Sequence, residues 1–270
     1  MDKLLKEGRG TGIGQQYKPW IKIQDVPSLG RVTRLKGIKT GRQHEFLSDL
    51  ERNYFYYLEF SDKVEDIREQ FPLLPIEDTL LIAEELGIEH PKHPKTGEYI
   101  VMTSDFFITM KQNGEIYEIA RTIKPKDELL NRRIAEKFQI ECKYWEKRGI
   151  DWAIVTENEI SKEIAENISF IHGYKDINVI DSFAQISHEE QTDLIYEFVK
   201  RVIDSDKSIR ALCSEFDNDM CLEKGSALSL FKYLLINKII EIDMTKKLKV
   251  NEAIKDIKLR EKPLKKVDAV

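Results

Sequence analysis

An acid, a hydroxyl and a base lie near the two ends of one short segment, at a spacing that could bring them together. Residues 103–125, TSDFFITMKQNGEIYEIARTIKP, alternate apolar and polar side chains on both sides of an Asn-Gly pair, which predicts a β-hairpin with a two-residue turn. In that register Asp105 faces Thr122, and Lys124 lies on the diagonal from Asp105 on the same face. Ile123 points the other way, into the core. A bulge would shift this layout.

A second acid could join this group from the first predicted helix. Glu51 lies within the apolar stripe of a helix from Ser48 to about Phe60, where a carboxylate is costly unless it is paired or binds a cation. The pattern Ser-x-x-Glu that begins at Ser48 is also a capping box, in which Glu51 would serve the backbone at the start of the helix. The sequence leaves both roles open for Glu51.

Two carboxylates and a lysine at the edge of a sheet are typical of chemistry with hard cations. Mg²⁺ prefers oxygen ligands, keeps several waters and commonly uses one or two carboxylates together with a substrate phosphate. Such an ion polarises a phosphoryl oxygen and lowers the pKa of a bound water. Lys124 could orient that water or stabilise charge on the phosphate. The alternative for Asp105 and Lys124 is a cross-strand ion pair, worth less than ~1 kcal/mol if exposed.

The elements that must position these residues predict an α/β unit. The periodicity indicates, in order, a helix, a strand, the two strands of the hairpin, a long helix and a final strand. We therefore expect a central mixed sheet flanked by helices, with a short helical excursion and a Pro-rich loop before the hairpin. The predicted segments after the first helix are 63–73 (strand), about 78–87 (short helix), about 127–147 (long helix, stopped by Gly149) and 151–156 (strand).

Helix signals dominate after about residue 160. The segment SHEEQTDLIYEFVKRVI opens with the capping box Ser187-x-x-Glu190. Two further helices, SIRALCSEF and SALSLFKYLLINK, precede IIEIDMTKKLKV, which predicts a small hairpin. Two helices and a β-wing are the outline of a winged-helix module, although any small helical domain with a terminal hairpin gives the same pattern. The predicted domains are an N-terminal arm (1–42), a catalytic domain (43–160) and a winged-helix-like domain with a basic tail (161–270).

Charge is unevenly distributed along the 270 residues, of which 34% are charged, with a net charge of -5. The first 50 residues hold 10 Lys and Arg against 5 Asp and Glu, and residues 245–266 hold 9 against 3. The glycine-rich start, EGRGTGIGQQYKPW, lacks the Gly-Lys-Ser/Thr ending of a P-loop, so a flexible basic arm that contacts phosphate is the preferred interpretation over a nucleotide site. Solvated charged faces are the alternative. The candidate phosphate contacts in the arm are Lys18, Lys22, Arg31, Arg34, Lys36, Lys39 and Arg42.

The remaining composition favours a protein of a reducing compartment. The three cysteines form no C-x-x-C pair, which argues against a disulfide framework or a zinc site. The first residues lack the apolar stretch of a secretory signal, and no apolar run approaches the ~18 residues of a membrane span. We expect a cytoplasmic protein that makes no membrane contact.

The arrangement of Glu51, Asp105 and the Thr-Ile-Lys string at 122–124 resembles the core of the PD-(D/E)XK restriction-type endonucleases. Several longer strings resemble one branch of that superfamily, the TnsA subunits of heteromeric bacterial transposases. These strings span roughly residues 6–160, and the C-terminal third resembles the family more weakly. They are KEGRGTGIGQQYKPWIKIQDVPSLGR, LSDLERNYFYYLEF, DIREQFPLLP, SDF, IKP and YWEKRGIDWAIVTENEI.

The resemblance implies a metal-dependent DNA endonuclease with a restriction-endonuclease-like fold. Such an enzyme hydrolyses the 5′-strand phosphodiester at each transposon end, with Mg²⁺ or Mn²⁺ and two ions per site. The resemblance makes Glu51 and Asp105 catalytic metal ligands, Lys124 the catalytic lysine, and the backbone carbonyl of Ile123 a further ligand. The implied partners are double-stranded DNA, a TnsB-type DDE transposase that acts on the 3′ ends, and a TnsC-type ATPase regulator that contacts the C-terminal domain.

Thr122 departs from the pattern of the family. The family usually has an acid or a glutamine there, whereas the threonine hydroxyl is shorter and a poorer ligand for Mg²⁺. Thr122 could hold a metal-bound water instead, and we expect weaker metal affinity than an acid would give. This departure keeps a second hypothesis open, in which the protein is a catalytically weak or inert DNA-bound adaptor that recruits the transposase and its regulator.

Overall fold

A computed structural model describes residues 1–25, 31–203 and 205–260 of the chain. The chain divides into two compact units, Met1–Ala165 and Glu166–Val270. The candidate acids and the candidate lysine all belong to the first unit, which is described first.

The first unit begins with short elements that lead into the first long helix. A five-residue helix is followed by a two-stranded antiparallel ladder and then by α2. The hydroxyl oxygen of Ser48 accepts a hydrogen bond from the N–H of Glu51 at 3.1 Å, so the predicted helix starts where its capping box places it. The bounds are α1 Asp2–Lys6, β1 Thr33–Lys36, β2 Gln43–Phe46 and α2 Asp49–Phe60.

The centre of this unit is the predicted mixed sheet. Its four strands lie in the order β3-β4-β5-β6, in which β5 and β6 run parallel and the other neighbours run antiparallel. Helix α2 packs on one face, and α4 packs on the other. The fold class expected for this part of the chain is thus confirmed. The bounds are β3 Val64–Pro72, α3 Ile76–Glu85, β4 Thr103–Gln112, β5 Glu115–Ile123, α4 Arg132–Glu146 and β6 Asp151–Val155.

The β4–β5 hairpin has the predicted register. Its ladder runs from Gln112 opposite Glu115 to Phe106 opposite Arg121. Both turn residues, Asn113 and Gly114, have positive φ, as a two-residue type I′ turn requires. One step beyond the last paired residues, the same register sets Asp105 opposite Thr122.

The long helix expected from about residue 127 is two elements. Residues Lys126–Leu130 form a 3₁₀ turn, and α4 begins only at Arg132. The side chain of Asn131 accepts hydrogen bonds from the N–H groups of Arg133 and Ile134, which caps a new helix. The helical periodicity continues across Asn131, so the sequence pattern did not indicate that a new helix begins there.

The described residues of the N-terminal segment are packed, unlike the flexible arm that the composition predicted. Tyr17 and Trp20 are buried. The Tyr17 hydroxyl donates to the carbonyl oxygen of Glu69 at 3.0 Å, and the Trp20 N–H donates to that of Gln70 at 3.1 Å. The segment therefore lies along β3, which is an edge strand of the sheet and would otherwise expose its backbone.

The second unit is mainly helical, as expected, but its terminal strands pair differently from the prediction. The segment 239–250 does not fold back on itself, because β7 pairs with β8. The side-chain amide of Asn167 donates to the carbonyl oxygens of Met244 and Lys246, which holds the intervening loop without a ladder. The winged-helix assignment is not confirmed, and the end of the basic tail, 261–270, lies outside the described residues. The bounds from the end of the first unit onward are α5 Lys162–Ile171, α6 Asp181–Ala184, α7 His188–Ile203, α8 Ile209–Asp219, α9 Ser226–Ile236, β7 Ile240–Glu241 and β8 Lys258–Leu259.

None of the helices that the structure describes is both long enough and apolar enough to cross a membrane.

Candidate active site

The open end of the hairpin forms one wall of a cavity of about 630 Å³. Helix α2 contributes Glu51, and β4 contributes Asp105. Strand β5 contributes Thr122 and Ile123, and Lys124 follows directly. The structure thus brings all five residues of the predicted catalytic and metal group to the wall of the same cavity.

Asp105 is held by a hydrogen bond to each carboxylate oxygen. The backbone N–H of Ile123 donates to Oδ2 at 2.7 Å, and the side-chain amide of Gln70 donates to Oδ1 at 3.2 Å. Burial raises the pKa of Asp105 to about 6, although these two hydrogen bonds and the nearby charge of Lys124 favour the ionised form. The carboxylate therefore has a fixed orientation and a high cost of carrying its charge.

Glu51 caps the start of α2 and also lines the cavity. Its carboxylate accepts hydrogen bonds from the Leu47 N–H at 3.1 Å and from the Ser48 hydroxyl at 2.9 Å, so the capping box is formed. The same carboxyl lines the cavity and is close enough to Asp105 to respond to its charge. Burial, and then the charge of Asp105, raise the pKa of Glu51 to about 8.

Lys124 is not paired with Asp105. Its ammonium group forms an ion pair with Glu128 at 2.8 Å, and no ion pair within 4.0 Å joins Lys124 to Asp105. The interpretation of Asp105 and Lys124 as a cross-strand ion pair is therefore wrong. Both Lys124 and Glu128 are partly exposed, so their attraction is weak and a phosphate could displace the glutamate.

The hydroxyl of Thr122 is directed at α4. It donates to Oε1 of Glu141 at 2.5 Å, and the indole N–H of Trp152 approaches its oxygen at 3.3 Å. The hydroxyl hydrogen is thus engaged by a buried acid. This contact gives Thr122 a structural partner that the sequence did not reveal.

Glu141 is the main site residue that sequence reasoning missed. It lines the cavity from α4 and is almost fully buried. Besides Thr122, it accepts hydrogen bonds from the Ser104 hydroxyl at 2.5 Å and the Trp152 indole at 2.9 Å. Burial raises its pKa to about 7. The sequence pattern could have indicated Glu141 as a candidate. It lies three residues after Phe138 and four before Trp145, so an acid stands within the apolar stripe of α4.

Lys137 is a second base on the wall of the cavity that the sequence analysis did not single out. It lies one turn before Glu141 on α4. Burial, and then the charges of Arg133 and Lys124, lower the pKa of Lys137. The cavity therefore holds two lysines whose mutual repulsion an anion would relieve.

The residues present fit a magnesium-type ion that keeps most of its waters. Within the described part of the chain, no group of three or more His, Cys, Asp and Glu side chains is arranged to hold a metal ion. Mg²⁺ needs only one or two carboxylates. Glu51 and Asp105 are such a pair, and because burial raises the pKa of each, a bound cation would favour their ionised forms. A closed structural zinc site would need more side-chain ligands than these two.

Arg42 does not have the exposure that a DNA contact requires. Its guanidinium is buried, pairs with both carboxylate oxygens of Glu69 and donates to the carbonyl oxygen of Ile67 at 2.9 Å. Its position in the fold therefore removes it from the candidate contacts of the basic segment.

The other candidate DNA contacts reach the surface to different degrees. Arg34 pairs with Glu45 at 3.0 Å along the β1–β2 ladder. The ammonium group of Lys39 donates to the carbonyl oxygen of Val64 at 2.7 Å. The rest are exposed or half-exposed: Lys18, Lys22, Arg31 and Lys36.

A mixed sheet flanked by helices, with acids and lysines on the wall of one cavity, is consistent with an α/β endonuclease. Comparison with known proteins identifies the family. A family model described as TnsA-like endonuclease N terminal matches residues 61–157, and one described as TnsA endonuclease C terminal matches residues 159–244. The Transposon Tn7 transposition protein TnsA of Escherichia coli is 38% identical over 251 residues, which cover 93% of this chain and 88% of that protein. The chain therefore belongs to the TnsA endonuclease family.

The matches bear on the two hypotheses drawn from the sequence. Both family models describe endonucleases, so an inert adaptor is not favoured. Asp105, Lys124 and Glu141 lie within the residues matched by the N-terminal model, whereas Glu51 precedes them. The similarity to the Escherichia coli protein extends well beyond the two models.

Proposed function

We propose that this protein is a divalent-metal-dependent DNA endonuclease that hydrolyses the 5′-strand phosphodiester at transposon ends. The observation that carries this proposal is the convergence of Glu51, Asp105 and Lys124 on one cavity, in a chain of the TnsA endonuclease family. The name of the Escherichia coli relative, a transposition protein, supports transposon ends as the substrate.

The metal site would be formed by the carboxylates of Glu51 and Asp105 with the backbone carbonyl of Ile123. Mg²⁺, with Mn²⁺ able to replace it and two ions in each site, would polarise the phosphoryl oxygen and lower the pKa of a bound water. Asp105 is held for this role by the hydrogen bonds from Ile123 and Gln70. Thr122 does not need to be a ligand, because its hydroxyl already donates to Glu141.

The lysines act on the phosphate. Lys124 exchanges Glu128 for a phosphate oxygen and stabilises the charge that develops there. Lys137 lies on the same wall and adds a second positive charge at low dielectric, where electrostatic interactions are strong. Both positive charges suit an anionic substrate.

The proposed enzyme works as one subunit of a heteromeric cut-and-paste transposase. A TnsB-type DDE transposase would process the 3′ ends, and a TnsC-type ATPase regulator would contact the C-terminal part of the chain. The exposed Lys and Arg side chains of the N-terminal segment would contact phosphates of the double-stranded DNA, which is consistent with a chain of net charge -5 that needs partners to bind DNA tightly.

The test is cleavage of a plasmid that carries transposon ends, with the transposase partners and Mg²⁺ present. We expect Asp105→Ala and Lys124→Ala each to lower the rate of 5′-strand cleavage by roughly 10²-fold or more. Glu115→Ala and Lys111→Ala are matched controls, because these exposed residues lie at the far end of the same hairpin. Normal 5′ cutting by Asp105→Ala, or cutting that persists in a chelator, would overturn the proposal.

A further inference from the structure

Gln70 has an unusual backbone conformation at the position opposite Asp105. The β3–β4 ladder pairs Glu69 with Phe106 and Phe71 with Ser104, so the residue between them faces Asp105. The φ angle of Gln70 is +48°, although it lies within a strand and is not a glycine. A non-glycine residue with positive φ costs free energy, and such residues are concentrated at functional sites.

This conformation interrupts the alternation of side chains along β3. In a regular strand, residues 69 and 71 would point to the same face. Here Glu69 hydrogen-bonds to His44 at 2.8 Å, on the side of the sheet that α2 covers. Phe71 instead stacks on Phe107 at 4.4 Å, in the core formed with α4. The strand therefore turns over at Gln70, and the side chain of Gln70 becomes part of the cavity wall.

The amide of Gln70 is oriented by its two partners. Its Nε2 donates to Oδ1 of Asp105 at 3.2 Å, and its Oε1 accepts from the Thr103 hydroxyl at 3.3 Å. The opposite orientation would set the amide oxygen against a carboxylate oxygen. The backbone is also held, because the carbonyl oxygen of Gln70 accepts from the Trp20 N–H. The side chain is buried and has little freedom to move.

We infer that Gln70 is the positioning residue for Asp105, and this inference rests on the proposed nuclease function. Each carboxylate oxygen can accept two hydrogen bonds or ligands. The Ile123 N–H and the Gln70 amide each occupy one such position, which leaves the others for a ligand in the cavity that Asp105 lines. The strained backbone of Gln70 brings the amide to this place, and the docked N-terminal segment keeps it there through Trp20.

Two variants separate the amide from the backbone conformation. Gln70→Met keeps a side chain of similar length but has no donor, so it removes the hydrogen bond to Asp105 and retains the strain. Gln70→Gly also removes the hydrogen bond but adopts a φ of +48° without strain. We expect Gln70→Gly to unfold at the higher temperature of the two, and both to bind metal more weakly. The matched control is Gln112→Met, at the exposed end of β4.

The experiment measures Mn²⁺ binding to the full chain by calorimetry without DNA, and separately the Mg²⁺ dependence of end cleavage with the partners. Loss of a group that orients a metal ligand weakens metal binding by roughly 10- to 100-fold. We expect this loss of metal affinity in both Gln70 variants. Their cleavage should recover at high Mg²⁺, because Asp105 is still present. Asp105→Ala should not recover. If the wild type binds Mn²⁺ and cleaves, and both variants match it in metal affinity and Mg²⁺ midpoint, the role of Gln70 is wrong. If the wild type neither binds Mn²⁺ nor cleaves transposon ends, the proposed nuclease function is itself wrong.

Discussion

Glu51 and Glu141, which are buried, and Asp105, which is half-buried, carry their charges at a cost to the folded state. The pKa of each is raised, to about 8, 6 and 7 respectively, and burial is the first cause in every case. A fold selected for stability alone would replace such residues by neutral ones. Their presence around one cavity is explained most simply by a positively charged ligand that offsets the cost.

Replacing Glu51 by glutamine separates its capping contacts from its proposed role as a metal ligand. The amide of Glu51→Gln can accept from the Leu47 N–H and donate to the Ser48 hydroxyl, so the helix cap is retained. Above the raised pKa, at about pH 9, the variant should unfold at an equal or higher temperature, because residue 51 no longer carries a buried charge. End cleavage should fall by roughly 10²-fold or more. Thermal unfolding and the cleavage assay measure the two effects.

The control for this substitution is Glu51→Ala, which loses both the cap and the carboxylate. It should lose cleavage and also unfold at a lower temperature. Full cleavage by Glu51→Gln would remove Glu51 from the metal site.

Thr122 gives a second prediction at the scale of single residues. Thr122→Glu introduces an acid at this position but places its carboxylate against Glu141. In the wild type, Glu141 accepts a hydrogen bond from the Thr122 hydroxyl. We expect a loss of about 1–3 kcal/mol in the free energy of unfolding near pH 8, since a buried donor is lost and like charges are opposed. Thr122→Gln keeps a donor and should cost less. Urea unfolding of the two variants measures the difference, and equal stability would contradict the role given to Glu141.

At the scale of elements, strand β3 joins the N-terminal segment to the site. Glu69 accepts from Arg42 and His44 on one side of the sheet, and Gln70 accepts from Trp20 and donates to Asp105. Burial opposes the ionised form of Glu69, but the nearby charges and hydrogen bonds lower its pKa to about 2. The strand therefore depends on buried partners from residues that precede it by more than 20 positions.

Removing Arg42 should test this dependence. Arg42→Met leaves the carboxylate of Glu69 buried with one partner fewer, and loss of one member of a buried pair costs about 3–5 kcal/mol. The control is Arg34→Met, since the exposed Arg34–Glu45 pair is worth about 0–1 kcal/mol. Urea unfolding near neutral pH compares them. If the two variants lose the same stability, the Arg42–Glu69 pair is not a structural requirement.

At the scale of the whole molecule, the three raised pKa values determine how stability depends on pH. Between the ordinary pKa of a carboxyl and about 8, the folded chain binds more protons at these sites than the unfolded chain. Stability from this source is present at low pH and is lost as the pH rises. Carboxyls with lowered pKa, such as Glu69, act in the opposite sense but only below their ordinary range. Burial lowers the pKa of His90, so below about pH 6.5 this residue makes stability rise with pH and opposes the trend of the three acids.

We therefore expect the metal-free protein to unfold at a lower temperature at about pH 8 than at about pH 6.5. Mg²⁺ should raise the unfolding temperature, and more so at the higher pH, because the ion binds the ionised carboxylates of the folded state. Scanning calorimetry with and without Mg²⁺ measures both effects. Asp105→Asn should show a smaller effect of pH and of Mg²⁺, and an equal response in this variant would contradict the prediction.

Much of the site was predictable because local rules determine it. The Asn-Gly turn sets the register of the hairpin, and that register sets Asp105 opposite Thr122. The capping box sets where α2 begins, and so which helical position Glu51 occupies. Each rule operates within a few residues, so the local amino-acid sequence contains the information that the rule needs.

The sequence by itself therefore determined the strands of the central sheet, the hairpin register, the helix cap and the chemical types at the site. The tertiary structure alone decided three further features: the contact of Thr122 with Glu141, the reversed backbone at Gln70, and the burial of Arg42 against Glu69. Each depends on a contact between residues 19 or more positions apart or on packing across a sheet. Periodicity and propensity describe neighbours along the chain, and they do not predict which distant side chains pack together in the core.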